Sequence, residues 1–171
     1  METELKLMAD ECVVFLIDMQ YGFLNEEKRS LIPGQISILK ECKNFDIPVI
    51  IFEYSGEGNT IADLNDEIQK IPNHQKMIKT TDDAFESTPI REILRKIGRK
   101  KVIVMGVNAC ACVLKTVKST VREGYEVITN NVLIGGYCCS ECRSKAESWY
   151  RHHVDMRAKK LSFQNYSQVS Q

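Results

Sequence analysis

The stretch KVIVMGVNACACVLKTVKSTV, residues 101–121, contains the change from strand to helix that decides the fold. It opens with the apolar run 102–105, which is short and rich in β-branched residues, as is typical of a buried strand. Gly106 permits a sharp change of backbone direction. Apolar residues then recur every four positions over 113–121, which predicts a helix. Cys112 therefore lies in the first turn of that helix, where unpaired N–H groups and the helix dipole can lower the pKa of a thiol.

The same alternation of apolar runs and helical spacing extends along the whole chain. Strands are predicted at 12–17, 49–52, 77–78, 102–105, 125–129 and 158–163. Helices are predicted at 32–42, 61–71, 88–97 and 140–153, together with the one that begins near 111. Strands that are apolar on both faces and alternate with helices predict a parallel sheet covered on both sides, which is a three-layer α/β fold. Because no repeat, low-complexity tract or linker interrupts the pattern, residues 1–171 are predicted to form a single domain.

Composition and charge exclude several classes of partner. The 171 residues carry 23 Lys and Arg against 23 Asp and Glu, so no nucleic-acid partner is predicted from charge. No apolar run is long enough to span a bilayer, and the acidic N-terminal segment lacks a signal-peptide pattern. Seven cysteines, an odd number, favour free thiols in a reducing compartment. The sequence therefore predicts a cytoplasmic protein without a membrane partner.

Three reactive side chains follow predicted strands. Asp18 ends the first strand, Lys79 follows Met77-Ile78, and Cys112 comes after the fourth. The carboxyl ends of parallel strands meet at one edge of a sheet, where ligands bind. A cysteine nucleophile needs a base, and a lysine can keep a carboxylate base ionised and stabilise developing charge. Each residue alone has an ordinary structural explanation, but together they favour a catalytic site.

At this point the chain resembles the isochorismatase-like cysteine hydrolase superfamily. The resemblance covers about residues 10–137 and rests on three blocks in order. The first is FLIDMQ at 15–20 with Phe23, and the second is Lys79 six residues before Phe85, with Thr88 beyond. The third is VMGV at 104–107 leading to Cys112-Val113, Thr116 and GYEV at 124–127.

The resemblance implies a Rossmann-like α/β/α sandwich with a six-stranded parallel sheet and a catalytic triad of Asp18, Lys79 and Cys112. The thiolate would attack a small amide-type substrate and expel ammonia or an amine, and water would release the acyl-enzyme. The backbone N–H groups of Asn108 and Cys112 would form the oxyanion hole, with a cis bond between Val107 and Asn108. The resemblance also implies a homo-oligomer, a dimer or larger.

The predicted substrate pocket and its loop depart in part from the family pattern. Phe23, Tyr54 and Phe85 are candidates for an apolar substrate pocket, although each is equally compatible with the core. Members commonly carry Thr or Ser three residues before the cysteine and an acidic residue or Asn next. Here these positions are Ala109 and Cys110. A catalytically silent family member that binds a small ligand or a protein is therefore the alternative.

No metal or other cofactor is predicted for the reaction. Nicotinamidases hold a metal through an Asp-x-His pair after strand two, whereas residues 52–57 here read FEYSGE. Cys139 and Cys142 supply half of a zinc pattern beside Cys138, but the adjacent histidines 152 and 153 point in different directions on a helix. Buried or interfacial thiols are the preferred interpretation of that cluster. A redox pair of Cys110 and Cys112 is a further alternative, although a C-x-C disulfide is strained.

Overall fold

A six-stranded parallel sheet forms the centre of the molecule in a computed structural model that describes residues 4–156. Its strands are β1 (Cys12–Ile17), β2 (Val49–Tyr54), β3 (His74–Lys79), β4 (Lys101–Val107), β5 (Glu126–Ile128) and β6 (Ile134–Gly135). The order is β3-β2-β1-β4-β5, and β6 pairs with the end of β4. Strand order therefore reverses between β1 and β4, and their carboxyl ends flank the crevice where parallel sheets bind ligands.

Helices cover both faces of this sheet. They are α1 (Glu4–Met8), α2 (Glu26–Arg29), α3 (Ile32–Phe45), α4 (Ala62–Ile68), α5 (Ala84–Ser87), α6 (Ile90–Ile97), α7 (Cys112–Arg122) and α8 (Ser140–His153). One core packs α1, α3 and α4 against one face of the sheet, and a second packs α5 to α8 against the other. Every residue of β1 is buried, because alternate side chains enter the two cores. The predicted α/β/α sandwich is confirmed.

Most predicted elements are present, and the differences occur at the margins of the sheet. β3 is six residues long, whereas two were predicted. Only Met77 and Lys79 of its six residues are buried, so the apolar pattern in the sequence covers only part of the strand. The weak apolar signal is that of an edge strand with one solvated side. The sixth strand observed is the two-residue β6, too short for a sequence pattern to reveal. The strand predicted at 158–163 lies outside the described residues.

Gly106 has a different structural role from the one predicted. It lies inside β4, paired with Ile17 of β1, rather than at a turn after the strand. Its φ is +151°, and a Cβ atom there would stand 2.3 Å from the carbonyl oxygen of Ile17. Only a residue without a side chain allows the two strands to approach this closely. Gly106 thus sets the spacing of the two strands whose ends carry Asp18 and Asn108.

Within residues 4–156, no helix combines the length and the apolar character that crossing a bilayer requires.

Candidate active site

A buried ion pair joins two of the three predicted catalytic residues. Asp18 follows β1 and Lys79 ends β3, and both side chains are fully inaccessible to solvent. Lys79 Nζ lies 3.0 Å from Asp18 Oδ2, donates to the carbonyl of Thr81 at 3.2 Å and lies 4.3 Å from the centre of the Tyr54 ring. Among the described residues, neither carboxylate oxygen accepts a hydrogen bond of good geometry, so the contact with Lys79 is an ion pair. Such a carboxylate retains unused capacity to accept a proton.

Burial dominates the electrostatics of Asp18. Its removal from water raises the pKa of the carboxyl, and the nearby charge of Lys79 offsets only part of that rise. The contact with the Cys112 thiol also favours the ionised form. The result is a carboxylate more basic than an exposed aspartate, beside a thiol that carries a proton.

Cys112 is the first residue of α7 and is 4% exposed. Burial and the negative charge of Asp18 raise the pKa of its thiol to about 12, with Lys79 acting in the opposite direction. The prediction of a lowered pKa is therefore wrong. The helix dipole and one ammonium group do not outweigh desolvation and two nearby carboxylates, those of Asp18 and Asp82. The Cys112 thiol is therefore neutral at neutral pH.

Asp82 is a second carboxylate beside the sulfur that the sequence did not single out. The Cys112 thiol donates to Asp82 Oδ1 at 3.5 Å, and Lys115 of α7 pairs with Asp82 Oδ2 at 2.7 Å. The hydroxyl of Thr116 donates to the Asp82 carbonyl and accepts from the N–H of Ala84. These contacts hold the loop before α5 against α7 and keep Asp82 beside the sulfur. The Cys112 thiol therefore has two carboxylates nearby, those of Asp18 and Asp82.

The backbone leaves the extended region where β1 and β4 end. Asp18 has φ +56° and Asn108 has φ +65°, values that cost a residue with a side chain about 1–3 kcal/mol. The described residues contain no cis peptide bond, so the expectation of a cis Val107–Asn108 bond is wrong, and the chain turns through the positive φ of Asn108 instead. Within residues 4–156, the N–H groups of Asn108 and Cys112 donate to no backbone carbonyl.

A cavity of about 630 Å³ opens at this edge of the sheet. Phe23 and Tyr54, two of the three predicted pocket residues, line it together with Asn108 and Cys112. Phe85 does not line it. Its ring is buried in the core formed with α6 and α7, because α5 directs that side chain inward. The structure thus brings Phe23, Tyr54 and Cys112 to one cavity and leaves Phe85 out of it.

Two polar residues that the sequence analysis passed over position the cavity walls. Gln20, fully buried, accepts from the N–H of Tyr54 and donates to the carbonyls of Tyr54 and Gly58. Lys28 Nζ donates to the carbonyl of Phe23 at 2.8 Å and to Asn108 Oδ1 at 3.1 Å. Gln20 belongs to the FLIDMQ block of the sequence, whereas the four-residue helix α2, which brings Lys28 to Asn108 80 positions away, is too short for a periodic pattern.

Other contacts steady the loop before Cys112 in place of the missing family hydroxyl. The Tyr150 hydroxyl of α8 donates to the carbonyl of Ala109 at 2.6 Å, and the N–H of Ala109 donates to Gly135. Ala109 itself is fully buried. The loop of Ala109 and Cys110 is therefore anchored from two sides without a Thr or Ser.

Comparison with known proteins places the chain in a family. The isochorismatase domain profile matches residues 12–146. The secreted isochorismatase effector Isc1 of Verticillium dahliae is 29% identical over 79 residues, covering 46% of this chain and 42% of that protein. Isc1 of Phytophthora sojae is 24% identical over 71% of this chain and 60% of its own length. The chain thus spans less than two thirds of these two relatives. Nicotinamidase 3 of Arabidopsis thaliana is 27% identical over 67% of this chain and 68% of its own length.

Solved structures share the fold at lower identity. The nicotinamidase SaPncA of Staphylococcus aureus has a TM-score of 0.77 and 18% identity, over 85% of this chain and 98% of its own. The MAR1 ribonuclease of Caenorhabditis elegans has a TM-score of 0.75 and 20% identity, over 90% and 81% respectively. At such identities the likeness concerns the fold alone. The domain match, which covers most of the chain, carries the assignment: this protein belongs to the isochorismatase family, within the isochorismatase-like superfamily.

Proposed function

We propose that this protein is a cysteine hydrolase that cleaves a C–N bond in a small amide-type metabolite through Cys112, Asp18 and Lys79. The observation that carries the proposal is the buried Asp18–Lys79 pair next to the thiol of Cys112, a residue that lines the cavity. A charged pair removed from water costs stability and is retained where it performs chemistry. Family membership supports a hydrolase, and its relatives include a protein named as a nicotinamidase.

The proposed reaction begins with proton transfer. Asp18, made more basic by burial, accepts the proton of the Cys112 thiol as the sulfur attacks the substrate carbonyl. The free N–H groups of Asn108 and Cys112 receive the oxyanion. The tetrahedral intermediate then collapses, and the protonated Asp18 gives its proton to the leaving amine. An acyl group remains on Cys112.

Water completes the cycle in the proposed second half. Asp18 takes a proton from water, which attacks the acyl-enzyme and releases a carboxylic acid. The proton returns to the Cys112 sulfur. Lys79 keeps its charge throughout and holds Asp18 in place from 3.0 Å. Because the Cys112 thiol is neutral in the free protein, the Cys112 thiolate and the protonated Asp18 form only while the sulfur attacks the carbonyl.

The donor set near the triad supports a reaction without a metal. The part of the cavity lining that the structure describes contains no histidine. Glu53 of β2 pairs with Lys76 at 2.9 Å and accepts from Thr60 at 2.8 Å, so its oxygen is engaged in the core. Glu57, which follows β2, lines the cavity, but this carboxylate alone does not reproduce an Asp-x-His pair. A small-molecule substrate fits a cavity of this size, and assembly into a homo-oligomer in the cytoplasm, without nucleic-acid or membrane partners, stays a prediction.

A silent binding protein is the second candidate, favoured by the raised thiol pKa and by Ala109 and Cys110 in the loop. A panel of small primary amides separates the two, since only a hydrolase releases ammonia and leaves an acyl group on Cys112, which peptide mass spectrometry detects. Alkylation by iodoacetamide at neutral pH does not separate them, because a neutral, buried thiol reacts slowly in either case.

Matched variants make the amide screen decisive. Cys112→Ala should abolish ammonia release, by at least about 10³-fold, while the circular dichroism spectrum is retained. Cys110→Ala, two residues away, should retain turnover, since Cys110 has no part in the reaction. Loss of turnover in both variants would indicate a thiol pair instead. No turnover of any amide, with no acyl group found on Cys112, would favour the silent binder.

A further inference from the structure

Three thiols from two distant segments meet at the mouth of the cavity. Cys110 lies in the loop after β4, Cys138 precedes α8, and Cys142 lies in the first turn of α8. Their sulfur atoms all lie within 4.8 Å of one another, and those of Cys110 and Cys138 are 3.5 Å apart. We refer to these three residues as the thiol cluster. Cys110 and Cys138 also line the cavity that contains Cys112.

We propose that the thiol cluster is a binding site for a thiophilic d¹⁰ cation of the Zn²⁺ or Cu⁺ type. Zinc–thiolate bonds of about 2.3 Å in a tetrahedral arrangement place sulfur atoms about 3.8 Å apart, which matches this spacing. Each thiol gives up its proton to solvent as the cation binds, so the cation takes the place of up to three protons. The inference does not depend on the proposed function, and no step of that reaction passes through the cation.

The surroundings of the cluster hold the ligands in place. The N–H of Cys138 donates to Cys110 Sγ at 3.4 Å, and Cys142 lies in the first turn of the 14-residue helix α8. Tyr150 of the same helix binds the carbonyl of Ala109 at 2.6 Å and so ties the Cys110 loop to α8. Contacts of this kind fix metal ligands before the ion arrives.

The cluster differs from the zinc pattern considered in the sequence. Cys139 is not a member, since the sulfur atoms that lie within 4.8 Å of one another are those of Cys110, Cys138 and Cys142. The Cys139 sulfur accepts from the N–H of Cys142 at 3.3 Å as the cap of α8. His152 and His153 contact carbonyls of their own helix through Nδ1. The third ligand comes instead from Cys110, 28 residues before Cys138. Three protein ligands leave the fourth tetrahedral position for water or a small ligand, as in exchangeable sites rather than closed structural ones.

Accessibility favours exchange with solvent. Cys138 is exposed, and Cys110 and Cys142 are partly exposed, whereas Cys12 and Cys42 are buried in the core. A cation from solution can therefore reach the cluster without unfolding of the protein. Serine is close to cysteine in size and all three thiols are at least partly exposed, so each replacement should retain the fold, which a circular dichroism spectrum checks.

A cadmium titration of the reduced, chelator-stripped full chain tests the proposal. The thiolate-to-metal absorption band should rise to an end point of one Cd²⁺ per chain, with competition by Zn²⁺. Cys110→Ser, Cys138→Ser and Cys142→Ser should each weaken binding at least about tenfold through loss of a ligand. Cys139→Ser, next to the cluster, and Cys112→Ala, in the same cavity, should bind as the wild type does.

The same series identifies the results that overturn the proposal. Wild-type affinity in Cys142→Ser, or an equal loss in Cys139→Ser, would show that the cluster is not the site. Loss of binding in Cys112→Ala alone would assign the cation to the nucleophile instead. X-ray absorption of the zinc-loaded chain provides an independent count, and fewer than three sulfur neighbours would also contradict the assignment.

Discussion

Two cavities lie at opposite ends of the parallel sheet, and Cys112 lines the smaller of the two. The cavity near the amino ends of β2 and β3 measures about 730 Å³, against about 630 Å³ at the carboxyl ends. His74, Lys96 and Arg99 are among the residues that line the larger one. Arg99 serves the fold there, since it donates to the carbonyls of Ala9 and Cys12 at 2.7 and 2.8 Å.

The carboxyl end carries features that cost stability. It contains the buried Asp18–Lys79 pair and positive φ values at Asp18 and Asn108. None of these is needed to form a sheet, and each raises the free energy of the folded state. The comparison teaches that a candidate functional end is better recognised by unfavourable local chemistry than by cavity volume.

Removal of Lys79 should produce the largest loss of stability at the carboxyl end. Lys79→Met leaves the Asp18 carboxylate buried and unpaired, which costs about 3–5 kcal/mol of unfolding free energy at pH 7. Lys115→Met breaks the exposed pair with Asp82 and should cost less than about 1 kcal/mol. Urea denaturation of the two variants measures the difference. Equal losses would show that the buried pair carries no special cost.

The Lys79→Met variant also has a defined pH signature. Without the ammonium group, burial raises the pKa of Asp18 further above its unfolded value of about 3.9. Between these two pKa values the folded state holds the proton and the unfolded state does not, so stability falls as pH rises. The loss relative to wild type should therefore be larger at pH 8 than at pH 5. A loss independent of pH would contradict a charge on Asp18.

A side chain at Gly106 should separate the two strands that form the site. The Cβ of Gly106→Ala would stand 2.3 Å from a backbone oxygen of Ile17, and the expected cost is about 3 kcal/mol. Gly124→Ala is the control, since Gly124 has φ +90° but open space around it and should cost about 1 kcal/mol. Thermal melting compares them. A milder effect at Gly106 than at Gly124 would refute the close-approach argument.

The Cys112 thiol should weaken the fold at alkaline pH. Its pKa is raised to about 12, so between about pH 9 and 11 the unfolded chain loses this proton and the folded chain keeps it. Stability then falls with rising pH, by about 1 kcal/mol per pH unit from this group. Cys112→Ala should remove that part of the slope. Cys139→Ala should not, since the pKa of the exposed Cys139 is lowered.

The sequence revealed those parts of this architecture that repeat a simple physical pattern. The strands β1, β2 and β4 are buried on both faces, so their apolar runs were unmistakable. Asp18 and Lys79 were found because topology alone brings the carboxyl ends of parallel strands together. β3 was underestimated because four of its six residues face solvent at least in part.

Contacts between loops were not predictable in the same way. Asp82 and Lys28 reach the site from segments without periodicity, and the meeting of Cys110 with Cys138 depends on how α8 returns to β4. The thiol pKa was predicted in the wrong direction for a related reason. The helix position of Cys112 is visible in the sequence, whereas its burial beside two carboxylates appears only in three dimensions.

The smallest effect on Cys112 labelling and turnover is expected when a bulky side chain fills the cavity at the amino end of the sheet. Lys96→Trp adds an indole to the wall of the larger cavity at an exposed position, and Cys112 labelling and any amide turnover should stay within about twofold of wild type. Ala111→Trp places the same group beside Cys112 and should slow both at least about tenfold, since it occupies the space a substrate needs. Impairment by Lys96→Trp would mean that the amino-end cavity communicates with the thiol. Because α6 lies between that cavity and the core around α7, such a result would overturn the division of the molecule into a structural and a chemical end.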